Sequence, residues 1–111
     1  MQTHFPSISF QKIRVFLGGS FDPIHLGHQT MAKVVYTKLQ QTFPKTPIIL
    51  SFLPTAGNPL KSAPASVNHR LSMLNLAVEN TPFIVDSLEV YQKPPVFTID
   101  TVKQLKKCYV D

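Results

Sequence analysis

The chain has a single cysteine, Cys108, in 111 residues. No intrachain disulfide can hold it together, and a reducing cytoplasm suits it. It is also short of acid: six Asp and Glu stand against eleven Lys and Arg, a formal net charge of +5. That excess favours anionic partners such as nucleotides, phosphates or nucleic acid. Long apolar runs are missing. Stretches such as 48–50 and 52–54 are far too short to cross a bilayer, so no span of this sequence reads as a membrane helix. The opening residues, MQTHFPSISFQK, have neither a basic n-region nor an apolar h-region, and a secretory signal is not expected. Low-complexity tracts and internal repeats are absent too. What remains, 43% apolar and 15% charged residues, describes one soluble globular domain at most.

Within that domain, residues 1–12 read as an N-terminal arm and 13–111 as the folded part. The β-branched and aromatic run IRVFLGG, 13–19, predicts a buried first strand that stops at Gly-Gly. Over 27–41 the apolar positions Met31, Val34, Val35 and Leu39 recur at helical spacing, and Pro44 bars continuation. PIILSFLP, 47–54, predicts a second strand, and the turn formers of 55–66 a long loop. Ser66 is placed as an N-cap. It opens a helix whose Leu71, Leu74, Ala77 and Val78 face inward, with Arg70 assigned to packing and surface charge. Residues 83–90 predict a third strand, broken near Asp86. A turn at QKPPV follows. The last helix, TIDTVKQLKK, has Thr98 or Asp100 as its cap and Lys103, Lys106 and Lys107 on its polar side. Strands alternating with helices predict a Rossmann-like α/β fold with a parallel sheet.

In such a fold the loop after the first strand, at the carboxyl end of the sheet, receives ligands. Here that loop is GGSFDPIHLGH, 18–28. Gly18 and Gly19 have no side chain to keep a phosphate from backbone N–H groups, and a helix start behind them suits an anion. Asp22 and Pro23 shape the turn. The run is neither a Walker loop nor a Gly-x-Gly-x-x-Gly fingerprint. Its distinguishing feature is the pair His25 and His28, three residues apart on one side of the helix start, with Gly27 leaving room between them. Imidazoles can hydrogen-bond phosphate oxygens and support charge as it develops. Zinc asks for three or four ligands, and beyond His4 and His69 the chain offers only Cys108, so no metal site is assigned.

These residues resemble the signature of the adenylyltransferases and cytidylyltransferases that carry the His-x-Gly-His motif. Over roughly 13–107 the chain is similar, more narrowly, to bacterial nicotinate-mononucleotide adenylyltransferases. FLPTAGNPLK, HRLSMLNLA, VDSLEV and FTIDT follow the first motif in the family's order. The resemblance implies that Gly18, Gly19, Ser20 and Phe21 line a nucleotide-phosphate loop. It implies that His25 and His28 contact ATP phosphates catalytically and that Lys61 reaches phosphate from the long loop. Phe97, Thr98 and Thr101 would lie near the pyridine ring of nicotinate mononucleotide. For Thr98, Asp100 and Thr101, simple helix capping stands beside that role. Mg²⁺ would ride on the triphosphate without dedicated protein ligands. AMP would pass from ATP to nicotinate mononucleotide, giving deamido-NAD and pyrophosphate.

The family's chains continue well past the length seen here, with a fourth strand beside the first and a Ser/Thr-rich motif ending in Arg. The expectation is therefore a domain cut off before its fourth strand, self-associating through the open edge of IRVFL. Two other readings stay open. One is a different adenylyl- or cytidylyltransferase, such as one acting on phosphopantetheine. The other is a non-catalytic nucleotide-binding half-domain. A nucleic-acid binder rests on the +5 charge alone, with no basic run or aromatic-basic motif behind it, and is not expected.

Overall fold

A computed structural model describes residues 12–21, 23–55, 67–92 and 98–109 of the chain. Three strands, β1 (Ile13–Gly19), β2 (Ile48–Pro54) and β3 (Ile84–Val85), alternate with three helices, α1 (Leu26–Thr42), α2 (Val67–Val78) and α3 (Thr98–Cys108). The strands are parallel, in the order β1-β2-β3. Ile13 sits opposite Ile48 and Gly19 opposite Pro54, while Phe52 sits opposite Val85. This is the Rossmann-like α/β layout, an open sheet with helical crossovers. No helix among the described residues is long and apolar enough to cross a membrane.

Side chains alternate across a strand, and the alternation assigns the helices to faces. Leu50 and Phe52 of β2 pack with Ala32 of α1, Leu74 of α2 and Phe83, joined by Val15 and Leu17 of β1. α1 and α2 therefore cover one face. On the other face Phe16 and Gly18 of β1 and Leu53 of β2 share a cleft with Thr101, Val102 and Leu105 of α3. The C-terminal end of α3 is pinned to that second face by Tyr109. Its ring lies 5.7 Å from that of Phe16 and beneath the Arg14 guanidinium at 4.2 Å, and its hydroxyl donates to Asp86 at 2.5 Å. That hydrogen bond, then burial, push the Tyr109 phenol above its ordinary value.

Several expectations need correction. β3 is two residues long, not 83–90. After one further ladder bond, Asp86 N–H to Phe52 O at 2.9 Å, the Asp86 carboxylate accepts the Leu88 N–H at 2.9 Å. The chain turns at 88–91 instead of extending, because this short side chain offers the backbone a local partner. α3 begins at Thr98 itself, so Thr98 is its first helical residue, and Asp100 lies in the first turn. There a carboxylate complements the positive end of the helix without capping it. In α2 the buried positions are Arg70 and Leu74. Arg70 is 3% exposed and is not a surface charge. Ser66, Asp22, Lys61 and Phe97 lie outside the described residues.

Candidate functional site

β1 ends in Gly18-Gly19 at the carboxyl edge of the sheet, and Ser20 and Phe21 carry the chain towards α1. Phe21 adopts φ 49°, the left-handed region, which costs a non-glycine residue roughly 1–2 kcal/mol. Burial offsets that cost. The ring is 2% exposed and stands edge-on to Phe52 at 5.4 Å, inside the core. Phe21 thus gives the loop its backbone and the core its side chain. Gly19 makes room for this. A Cβ there would sit 3.1 Å from the Phe21 ring, closer than carbon atoms ordinarily approach.

The histidine pair is built into the start of α1. His25 is the N-cap, and its side chain and that of His28 close a reciprocal capping box. His25 Nδ1 accepts the Gly27 N–H at 3.1 Å, and His28 Nδ1 accepts the His25 N–H at 3.1 Å. Histidine replaces the Ser, Thr, Asp or Asn usual at such a cap. With Nδ1 accepting in both rings, each neutral imidazole carries its proton on Nε2. The caps therefore fix the tautomer and leave Nε2–H as a donor with no partner among the described residues. The rings are stacked, centroids 3.6 Å apart and 24° from parallel, and Phe21 stands nearly perpendicular to His28 with centroids 4.9 Å apart. Gly27 leaves room for the stack, since a Cβ there would lie 3.0 Å from His25 Cε1 and Nδ1 and the ring would have to give way.

Burial first, and the adjacent His25 second, hold the His28 imidazole below its ordinary 6.5. Protonation would also place a hydrogen on Nδ1 and break the bond to the His25 N–H. The unfolded chain takes up this proton more readily than the folded one. The ring's contribution to stability is therefore present above about pH 6.5 and is lost as pH falls through the lowered folded value. Urea unfolding at about pH 7.5 and about pH 5.5 should show the wild type losing more stability over that interval than His28→Ala. Parallel losses in the two proteins would remove His28 from the titrating groups.

Two clefts flank β1 at this end. One, of about 330 Å³, lies between Phe16, Gly18, Phe21, His28 and Met31, on the α1 side. The other, of about 360 Å³, is lined by Gly18, Gly19, Thr55, Glu89 and Thr101, on the α3 side. Two buried polar side chains stand in the second. Glu89 is 7% exposed, and Thr101, 4% exposed, has no hydrogen-bond partner for Oγ1 among the described residues. An unpaired buried hydroxyl costs roughly 1–3 kcal/mol, which a ligand polar group could recover. Gly18 and Gly19, Ser20 and the two histidines therefore share one end of the sheet with Thr101, which α3 brings in from the opposite face. Sequence reasoning missed Arg70 and Glu89. Arg70 had a signal, since it lies one helical turn before Leu74 and so on the inward face. Glu89 sits in a segment read as strand, whose alternation says nothing about a turn.

A family model described as cytidylyltransferase-like matches residues 16–110. The chain is similar to proteins named probable nicotinate-nucleotide adenylyltransferase in several bacteria. It is 39% identical over 92 residues to the one from Bordetella petrii, covering 80% of this chain and 44% of that protein. With the Hahella chejuensis protein it shares 38% over 109 residues, 96% of this chain and 44% of the relative. For Aquifex aeolicus the figures are 38% over 99 residues, 87% and 55%. The chain spans about half the length of the curated relatives it matches.

Proposed function

The chain belongs to the cytidylyltransferase-like family, and from that premise we propose that it serves the transfer of AMP from ATP to nicotinate mononucleotide, a step of NAD biosynthesis in the cytoplasm. The observation that carries this reading is the stacked His25–His28 pair. Its Nδ1 atoms are spent on capping and its Nε2–H groups have no partner among the described residues, beside a glycine strand end. In the reaction a phosphate oxygen of the mononucleotide attacks the α-phosphorus of ATP. The bond to the bridging oxygen breaks, and pyrophosphate leaves with the electron pair. No covalent enzyme intermediate is needed. The chain's part is alignment and support of charge. The Gly18-Gly19 backbone admits the triphosphate, and His25 and His28 donate Nε2–H to its oxygens. Mg²⁺ arrives on ATP as part of that substrate. The start of α3 at Thr98, with the unpaired Thr101 hydroxyl, suits a pyridine carboxylate.

Side-by-side turnover with nicotinate mononucleotide, nicotinamide mononucleotide and phosphopantetheine tests the assignment. The nicotinate substrate is expected to lead, and preference for phosphopantetheine would move the chain to another branch of the family. Lys61→Ala, between β2 and α2 in the sequence, should weaken ATP or mononucleotide binding. Unchanged apparent affinities would leave Lys61 as a solvated loop residue. The remaining partner reading, self-association through β1, is supported by the pairing of β1 with β2 alone among the described residues. Sedimentation equilibrium on residues 1–111 tests it, and a monomer at every concentration would overturn it.

A further inference from the structure

Arg70 is a charged residue placed where a hydrophobic one would be ordinary. It lies on α2 one turn before Leu74, is 3% exposed, and comes up beneath the carboxyl end of the sheet. One guanidinium nitrogen, Nη1, donates to two carbonyls at once: Ser20 O at 2.8 Å and Thr55 O at 3.0 Å. These carbonyls belong to different loops. Ser20 follows β1 and leads towards α1, and Thr55 follows β2 at the end of the described stretch 23–55. The strands bring the two loops close, since the Thr55 N–H donates to Gly19 O at 2.9 Å. That bond fixes Thr55 to Gly19 only. Ser20, one residue later, is exposed, and the backbone there must turn sharply enough to put Phe21 at positive φ.

Burying a guanidinium on carbonyls alone is an unfavourable way to stabilise a core. Among the described residues no carboxylate pairs with Arg70, and its Nε, also buried, has no hydrogen bond. Buried charge without a counter-charge is costly, and an apolar residue of similar volume would ordinarily stabilise the fold more. What the guanidinium offers instead is a rigid planar donor group that holds two acceptors at a set separation. We propose that Arg70 is a positioning residue that locks the Ser20 and Thr55 loops together. It thereby sets the backbone geometry in which Gly18–Phe21 receives a phosphate chain, a role that rests on the nucleotidyl-transfer reading above. Lysine at this position keeps the charge, but its ammonium is on a shorter stem and rotates freely, so it does not hold the two acceptors at the fixed in-plane angle of the two Nη1 N–H bonds.

The lock and its use are measured separately. Amide ¹H–¹⁵N spectra of the protein, Arg70→Lys and Leu74→Ala report the lock without any ligand. Leu74 is fully buried on the same helix, so Leu74→Ala controls for lost stability. In Arg70→Lys the amides of Gly19, Ser20 and Phe21 should shift together with those at Thr55. In Leu74→Ala they should stay in place although the protein is less stable. Loop amides unmoved in Arg70→Lys, or moved equally in both variants, would overturn the lock. Calorimetric titration with inorganic tripolyphosphate then reads its use. Arg70→Lys should bind about ten- to one-hundred-fold more weakly, as misplacement of positioning groups does, and Leu74→Ala should bind like the wild type per folded molecule. Loop amides that move while tripolyphosphate affinity does not would overturn the positioning role. A wild type that binds no tripolyphosphate would overturn the nucleotide reading, and the spectra would still decide the lock.

Discussion

Turnover by the His28→Ala protein should fall about 100- to 1000-fold, the loss typical of removing one preorganised donor to developing charge. The same change should cost the fold only about 1 kcal/mol, the usual price of a lost helix cap. The separation follows from how the ring is held. Its Nδ1 accepts the His25 N–H, and its ring packs nearly perpendicular to Phe21, so local packing fixes its position. The remaining nitrogen, Nε2, has no partner among the described residues, and the rest of the molecule does not depend on it. Pyrophosphate release measured beside thermal unfolding gives both numbers. Near-normal turnover would remove His28 from the reaction. An unfolding loss of several kcal/mol would return it to a structural role. His25→Ala should be more damaging to the helix start, because His25 is itself the N-cap.

Phe52→Ala should destabilise the protein by about 3–5 kcal/mol, the range for emptying a buried phenylalanine site. Phe52 is 1% exposed in the central strand and meets the Phe21 ring at 5.4 Å and the Phe83 ring at 6.1 Å, both nearly perpendicular. Against a net stability of about 5–15 kcal/mol for a small domain, that loss is large. It should also reach the site. Phe21 carries the left-handed turn of the loop after β1 and packs against His28, and without Phe52 its ring has lost one wall of its pocket. The expected result is a large drop in urea midpoint, with weakened phosphate binding in the fraction that stays folded. A loss under about 1 kcal/mol would mean that the core refills the space.

Much of this site is legible in the linear sequence because its parts are local. The glycine pair, the two histidines and the start of the helix behind them fall within a dozen residues. Strand-to-helix order, helical spacing and the breakers around them place those parts at the carboxyl end of the first strand. The reading of the histidines was less complete. Spacing puts both on one side of a helix start, but their double duty, one nitrogen capping and the other free, depends on ring orientation. Ring orientation follows from the stack and from Phe21 beneath it. The third strand was misjudged for a related reason. Residues 83–90 are apolar enough to extend, and a single carboxylate, Asp86, gives the backbone a competing local bond.

By itself, then, the sequence determined the element order, the parallel α/β layout and the glycine–histidine loop, since each depends on neighbours a few residues apart. Tertiary structure alone decided the rest. It turned the Phe21 ring into the core, drew Arg70 under two loops from 50 and 15 residues away, and set Thr101 and Glu89 in one cleft with the glycines. The physical reason is that periodicity reports which face of an element is apolar. It carries no information about which distant carbonyl, ring or hydroxyl will be waiting when that face is buried.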